Sequence, residues 1–244
     1  MEVHHHSHHG KKKWTEYFWE FFMLFLAVTM GFLVENQREH YQESERAKEY
    51  AKMLKYDLMK DTALLNSFIL DHSIQSSNYD FIRILFKKKL NDITIGDFRK
   101  RDSISLPLNY FIPNNATFEE MKNSGELRYF KNIQLIGELG TYDWEIKRYL
   151  ELKSTAQNIY GGLMSEHNLQ FEIKMEEFMK KSGQLDSSIS VVKAGYTFDS
   201  WFEREKIIEN FLDLEELLGA IEYPNLKLRA DAIIVLLNKE YHLK

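Results

Sequence analysis

The chain has 244 residues, 44% of them hydrophobic, with a formal net charge of −5 and no cysteine; that is enough for one good-sized core or two small ones. The negative balance argues against a nucleic-acid binder, which needs a strong positive field, and the missing cysteines exclude disulfides, thiolate metal sites and cysteine nucleophiles. Only 3 prolines and 11 glycines stand against 13 tyrosines and 17 phenylalanines, so the expected class is all-α, with long helices packed by aromatics.

Residues 1–13 form a His/Lys-rich tail, expected on the cytoplasmic side. Ser7 interrupts the histidine run and Lys11, Lys12 and Lys13 lead straight into an apolar segment, so the tail reads as native rather than as an expression tag. His4, His5, His6, His8 and His9 offer imidazole ligands for a divalent transition metal. Without a fixed geometry or a second shell they make at most a weak site, and a tail with incidental metal affinity is the plainer reading.

Residues 14–34, WTEYFWEFFMLFLAVTMGFLV, have the length and composition of a membrane-spanning helix. Trp14, Tyr17 and Trp19 sit at the headgroup end, and the lysines just outside place the N-terminus in the cytoplasm and the remainder on the far side of the membrane. A cleaved signal peptide would have a shorter apolar region ending in small residues, which Val34, Glu35 and Asn36 do not supply. Glu20, Leu24, Ala27 and Gly31 share one face of this helix. That face reads as a helix–helix contact in a homo-oligomer or with other membrane proteins, because small residues allow close approach and a carboxylate within lipid needs protein or water beside it. Equally, Glu20 sits among the headgroups at the favourable end of the helix dipole.

Residues 35–90 are expected to carry the helix onward as a stalk and first bundle helix. Ala47, Ala51, Leu54, Leu58, Leu65, Phe68 and His72 form an apolar seam in which Asp61 is the interruption, and the seam is expected to pack on the protein's own helical domain. Lys87, Lys88 and Lys89 close the element. Residues 91–116 read as an irregular loop segment with an alternating stretch at Ile104, Leu106, Leu108 and Tyr110, punctuated by Pro107 and Pro113. Arg99, Lys100 and Arg101, within it, are the candidate surface for an anionic lipid or polymer.

Residues 117–244 read as a helical domain. Thr117 and Glu120 suggest a capping box, with Ser124 and Gly125 as the stop. A helix from about Asn132 to Leu139 is expected to end near Gly140, and another from Tyr142 to Tyr160 to break at Gly161 and Gly162, with Trp144, Ile146, Tyr149, Leu150 and Leu152 in the core. Residues 163–179 are helical by spacing. The following loop, residues 181–199, has a short strand candidate at Ile189–Val192 and is the segment expected to move most. Helices are then expected from Asp199, from Leu214 to Ile221, and from Pro224 to Leu243.

The run HHHSHH followed by KKKWTEYFWEFFMLFLAV, with Gly31–Phe32 and Glu35–Asn36 after it, resembles the start of an uncharacterised family of membrane-anchored Bacteroidota proteins, a domain of unknown function. Thr117–Leu135, TFEEMKNSGELRYFKNIQL, is similar to that family's second recurring stretch, T-[FY]-x-E-[LM]-x-x-S-G-x-L. The resemblance implies a native histidine tail, one membrane span and a helical outer domain. It implies no activity, substrate or catalytic residue.

No recognisable chemistry stands out. The adjacent pairs Glu119–Glu120, Glu176–Glu177 and Glu215–Glu216 point in different directions on a helix and read as solvated faces. There is no P-loop, G-x-G-x-x-G or G-x-S-x-G motif. The expected role is that of a membrane-anchored binding or scaffold protein in an inner-membrane assembly, without cofactor and not an enzyme. Two alternatives stand beside it: a subunit of an ion-driven or transport complex in which Glu20 titrates, and a periplasmic enzyme whose distant groups converge only in the fold.

Overall fold

The computed structural model describes residues 13–104, 110–163, 166–195 and 201–243. Helix makes up 84% of it, and among the described residues there is no strand, which makes the chain all-α as expected. Two compact units divide it, Met1–Tyr50 and Ala51–Lys244. The histidines of the tail, Leu106, Pro107 and Leu108 of the expected extended stretch, and Asp199 lie outside the described residues.

Helix α1, Trp14–Lys87, is 74 residues long and contains no proline and a single glycine, so nothing in its backbone chemistry stops it. The part in the first unit carries the apolar stretch. Its large side chains, from Trp14 to Val34, are all exposed, and this is the one helix among the described residues long and apolar enough to cross a membrane. Rings one turn apart stack along it, Trp14 on Phe18 at 6.4 Å between centroids and Phe18 on Phe22 at 6.2 Å. Thr29 donates its hydroxyl hydrogen to the Phe25 carbonyl at 2.8 Å, so its polar group is satisfied within the helix.

In the second unit, the seam of α1 at Ala51, Leu54, Leu58 and Leu65 is buried in the unit's own core. Asp61 does not interrupt that seam. It is buried within it, 1% exposed, and accepts hydrogen bonds from the Asn114 backbone and side chain and from Tyr142. A buried carboxylate so supplied needs no break in the helix.

The stretch expected to be irregular holds helix α2, Ile95–Asp102. Thr94 and Asp97 form its capping box, Arg99, Lys100 and Arg101 occupy its last turn, and Ile95 and Phe98 are fully buried. Residues 187–191 of the loop after residue 181 are anchored here. Ile95 N–H donates to Ile189 O at 3.0 Å, Gly96 N–H to Ser187 O at 2.9 Å, and Val191 N–H to Ile93 O at 3.0 Å. Val191 enters the core beside Phe98, Phe178 and Phe211, and the expected strand shrinks to one antiparallel bridge between Thr94 and Ser190.

Helix α3, Ala116–Ser124, has no side-chain cap; Thr117 lies inside its first turn rather than at the N-cap, so the expected box does not form, and its hydroxyl donates to Asp57 on α1. Gly125, at φ +75°, terminates α3 as expected, because an L side chain is strained in that left-handed conformation. Helix α4, Ile133–Leu163, starts at Asn132, whose side chain accepts from the Leu135 N–H, and runs unbroken through Gly140, Gly161 and Gly162. A helical glycine costs about 1 kcal/mol; burying Leu139, Tyr142, Ile146 and Tyr149 on α4 outweighs it. Trp144 and Leu150, expected in the core, are exposed, and the Arg148 guanidinium lies 5.2 Å from the Trp144 ring centre.

Helix α5, Glu166–Lys181, is followed by α6, Trp201–Leu217, and α7, Tyr223–Tyr241. Between α6 and α7 the chain does not break but widens into a π-helical turn, Leu218–Glu222, and Pro224 is the second residue of α7, directly after that wider turn. Helix α4 packs against both α6 and α7.

Candidate functional site

The chemistry of the second unit gathers where α1, α4, α6 and α7 meet the non-helical segment 110–115. Glu215, on α6, is only 6% exposed, which corrects the expectation that it lies on a solvated face. Adjacent helical residues point about 100° apart, so one member of the Glu215–Glu216 pair turns inward while Glu216 stays partly in solvent. The Tyr110 hydroxyl donates to the Glu215 carboxylate at 3.0 Å. Burial pushes the Glu215 carboxyl from its ordinary 4.5 up to about 7, with the Tyr110 hydrogen bond pulling weakly the other way.

Tyrosines from separate elements surround this carboxyl. Tyr79 on α1, Tyr110, Tyr149 on α4 and Tyr223 on α7 are all raised, first by burial and then by the neighbouring negative charge of Glu215 or by one another; Tyr223 reaches about 12. Tyr149 donates to the Phe111 carbonyl at 2.7 Å and packs its ring 5.7 Å from that of Phe111, while the Tyr223 ring lies 5.8 Å from that of Tyr149. Beside them, the His72 ring faces Tyr79 at 6.1 Å between centres. His72 Nε2 lies 3.4 Å from a Glu216 oxygen but makes no aligned hydrogen bond.

A second carboxylate holds the other end of the segment. Asp61 accepts from the Asn114 N–H at 2.9 Å and from Asn114 Nδ2 at 2.7 Å, and its carboxyl is raised chiefly by burial. The site therefore consists of neutral or weakly acidic hydroxyls around two desolvated carboxyl groups. Both carboxyl groups are joined by hydrogen bonds to segment 110–115, Glu215 through Tyr110 and Asp61 through Asn114. Sequence reading missed the site, since its members come from five places in the chain. The one advance signal was the aromatic excess.

The residues singled out from sequence lie elsewhere. Glu20, Leu24, Ala27 and Gly31 share an exposed face of α1, with Leu24 68% exposed. Arg99 is committed within the protein: it donates to Ser187 Oγ at 3.0 Å and to the Ser182 carbonyl at 2.9 Å, clamping the anchored loop. Lys100 lies 4.0 Å from the Phe81 ring centre. Arg99 thus clamps the loop from the last turn of α2, while Lys100 is exposed. Among the described residues, no three His, Asp or Glu side chains converge as a metal would require. Comparison with models of protein families, with curated proteins and with solved structures finds no match.

Proposed function

We propose that this is a single-pass membrane protein whose helical unit binds or scaffolds partners, as one subunit of an inner-membrane assembly. The observation that supports this reading is the exposure of every large apolar side chain from Trp14 to Val34, with none of that window buried. A soluble protein rarely leaves an apolar surface of that extent in water, and in a bilayer the same surface is satisfied by lipid. In this reading the lysines place the tail in the cytoplasm, the helical unit is periplasmic, and the face of Glu20, Ala27 and Gly31 receives a second copy or a neighbouring helix. Membership of the His-rich Bacteroidota family belongs to the same proposal.

Membranes from cells producing the full chain test the anchor. The protein is expected to stay in the pellet after alkaline carbonate extraction, and a single cysteine placed in the helical unit is expected to react with an impermeant maleimide in spheroplasts. Release by carbonate would sink the anchor, and labelling only after lysis would invert the topology. Intact-mass measurement of the detergent-solubilised complex then tests assembly, a bare monomer counting against it.

A further inference from the structure

Segment 110–115 is tied down by polar groups from three helices. Tyr110 is bonded to Glu215 on α6, Phe111 to Tyr149 on α4, and Asn114 to Asp61 on α1. Phe111 is fully buried under these bonds, whereas Ile112, next to it, is exposed, so the segment lies at the surface with one side chain driven inward. Glu215 and Asp61 carry no ion pair among the described residues, and each exchanges the hydration of a carboxylate for hydrogen bonds from this segment and from tyrosines. The hydrogen bonds favour the ionised form of each carboxyl, but burial disfavours it and outweighs them at both.

We propose that segment 110–115 is a proton-governed strap: protonation of Glu215 keeps it fastened across α4 and α6, and ionisation of Glu215 releases it and uncovers Tyr149 and Tyr223. The groups facing Glu215 support this from every side. Tyr79 and His72 come from α1, Tyr110 from the strap, Tyr149 from α4, Glu216 from α6 itself and Tyr223 from α7. None of the tyrosines is a cation, and His72 lies with its Nε2 3.4 Å from Glu216. Asp61 acts in the same sense at the other end of the strap, again with burial as the main cause. Opening returns Glu215 to water, where its proton dissociates near the ordinary 4.5 instead of about 7. Linkage then makes the strap open on the order of tenfold more often at pH 8 than at pH 6. The inference concerns the helical unit alone and does not depend on the membrane reading.

Hydrogen–deuterium exchange of the full chain in detergent micelles tests it, read at the Phe111 and Asn114 amides and corrected for the intrinsic pH dependence of exchange. Wild-type protection is expected to fall on the order of tenfold from pH 6 to pH 8, and Glu215→Gln, permanently neutral, is expected to be equally protected at both. Tyr110→Phe removes the hydrogen bond that lowers the Glu215 value, so its transition is expected at higher pH than in wild type. Protection in wild type that ignores pH, or a Glu215→Gln chain that keeps the full pH response, overturns the strap. Should Glu215→Gln fail to fold, an unchanged or lowered Tyr110→Phe midpoint overturns it by itself.

Discussion

The His72 ring occupies the space that a side chain on Gly219 would need: a Cβ built there would lie 2.0 Å from His72 Cγ and Cδ2. Gly219 lies in the π-helical turn between α6 and α7, so that turn and the last third of α1 are shaped to each other. Gly219→Ala is expected to destabilise the helical unit by about 3 kcal/mol through overpacking. Pairing it with His72→Ala should recover much of that loss, and a double-mutant cycle by urea denaturation measures the coupling. Simple additivity of the two losses would show that the contact does not set the position of the turn.

Stability should have a maximum on the acid side of neutrality. The raised Glu215 value means the folded state binds its proton more tightly than the unfolded state; the stabilisation is complete below about 4.5 and is lost as pH rises through about 7. Asp97 and Asp143 run the other way. Hydrogen bonds from Thr94 and Lys88, and from Lys147 and Lys122, outweigh burial and hold these carboxyls below the usual range, so their contribution is present above that range and lost on acidification. Thermal melts between pH 3 and pH 9 should therefore show a maximum near pH 5, and Glu215→Gln should flatten the alkaline limb only.

Arg148 donates to both oxygens of Glu222 at 2.9 and 2.7 Å, and the Glu222 side chain is 4% exposed against 41% for Arg148. Removing the arginine strands a buried carboxylate at the end of the same π-helical turn. Arg148→Ala is expected to cost about 2 kcal/mol, discounted because half-exposed Arg148 is screened by solvent. The double variant Arg148→Met with Glu222→Gln should cost less than Arg148→Ala alone, as guanidinium denaturation would reveal.

Thr94 begins α2 and sits opposite Ser190 in the only bridge among the described residues. Thr94→Ala removes one half of the capping box, an expected loss of about 1 kcal/mol. Because the docked loop bonds to the same turn, proteolysis within residues 183–190 should accelerate in this variant. A cap that matters only to α2 would leave that cleavage rate unchanged.

Disulfide crosslinking of single cysteines from residue 18 to residue 33, in membranes, tests the contact face of the span. Efficiency is expected to peak at residues 20, 24, 27 and 31 with helical periodicity. Uniform efficiency around the helix would exclude that face.

Much of the helical framework was legible because its signals are local. Gly125 stops α3, Asn132 starts α4 and Pro224 opens α7 for reasons contained within a few residues. Gly140, Gly161 and Gly162 misled because a helix-breaking preference of about 1 kcal/mol is smaller than the apolar burial along α4. Asp61 misled in the opposite way. As a lone charge in an apolar seam it reads as a fault, and its partners Asn114 and Tyr142 lie 53 and 81 residues away.

The amino-acid sequence by itself determined the all-α class and the apolar stretch from Trp14 to Val34, since helical periodicity, scarce proline and unbroken hydrophobicity are properties of neighbouring residues. Only the tertiary structure decided that Glu215 turns inward, that four tyrosines close around it, and that Arg99 grips a loop instead of facing solvent. Burial of a charged group depends on what packs against it from distant segments, and that information is absent from any local window.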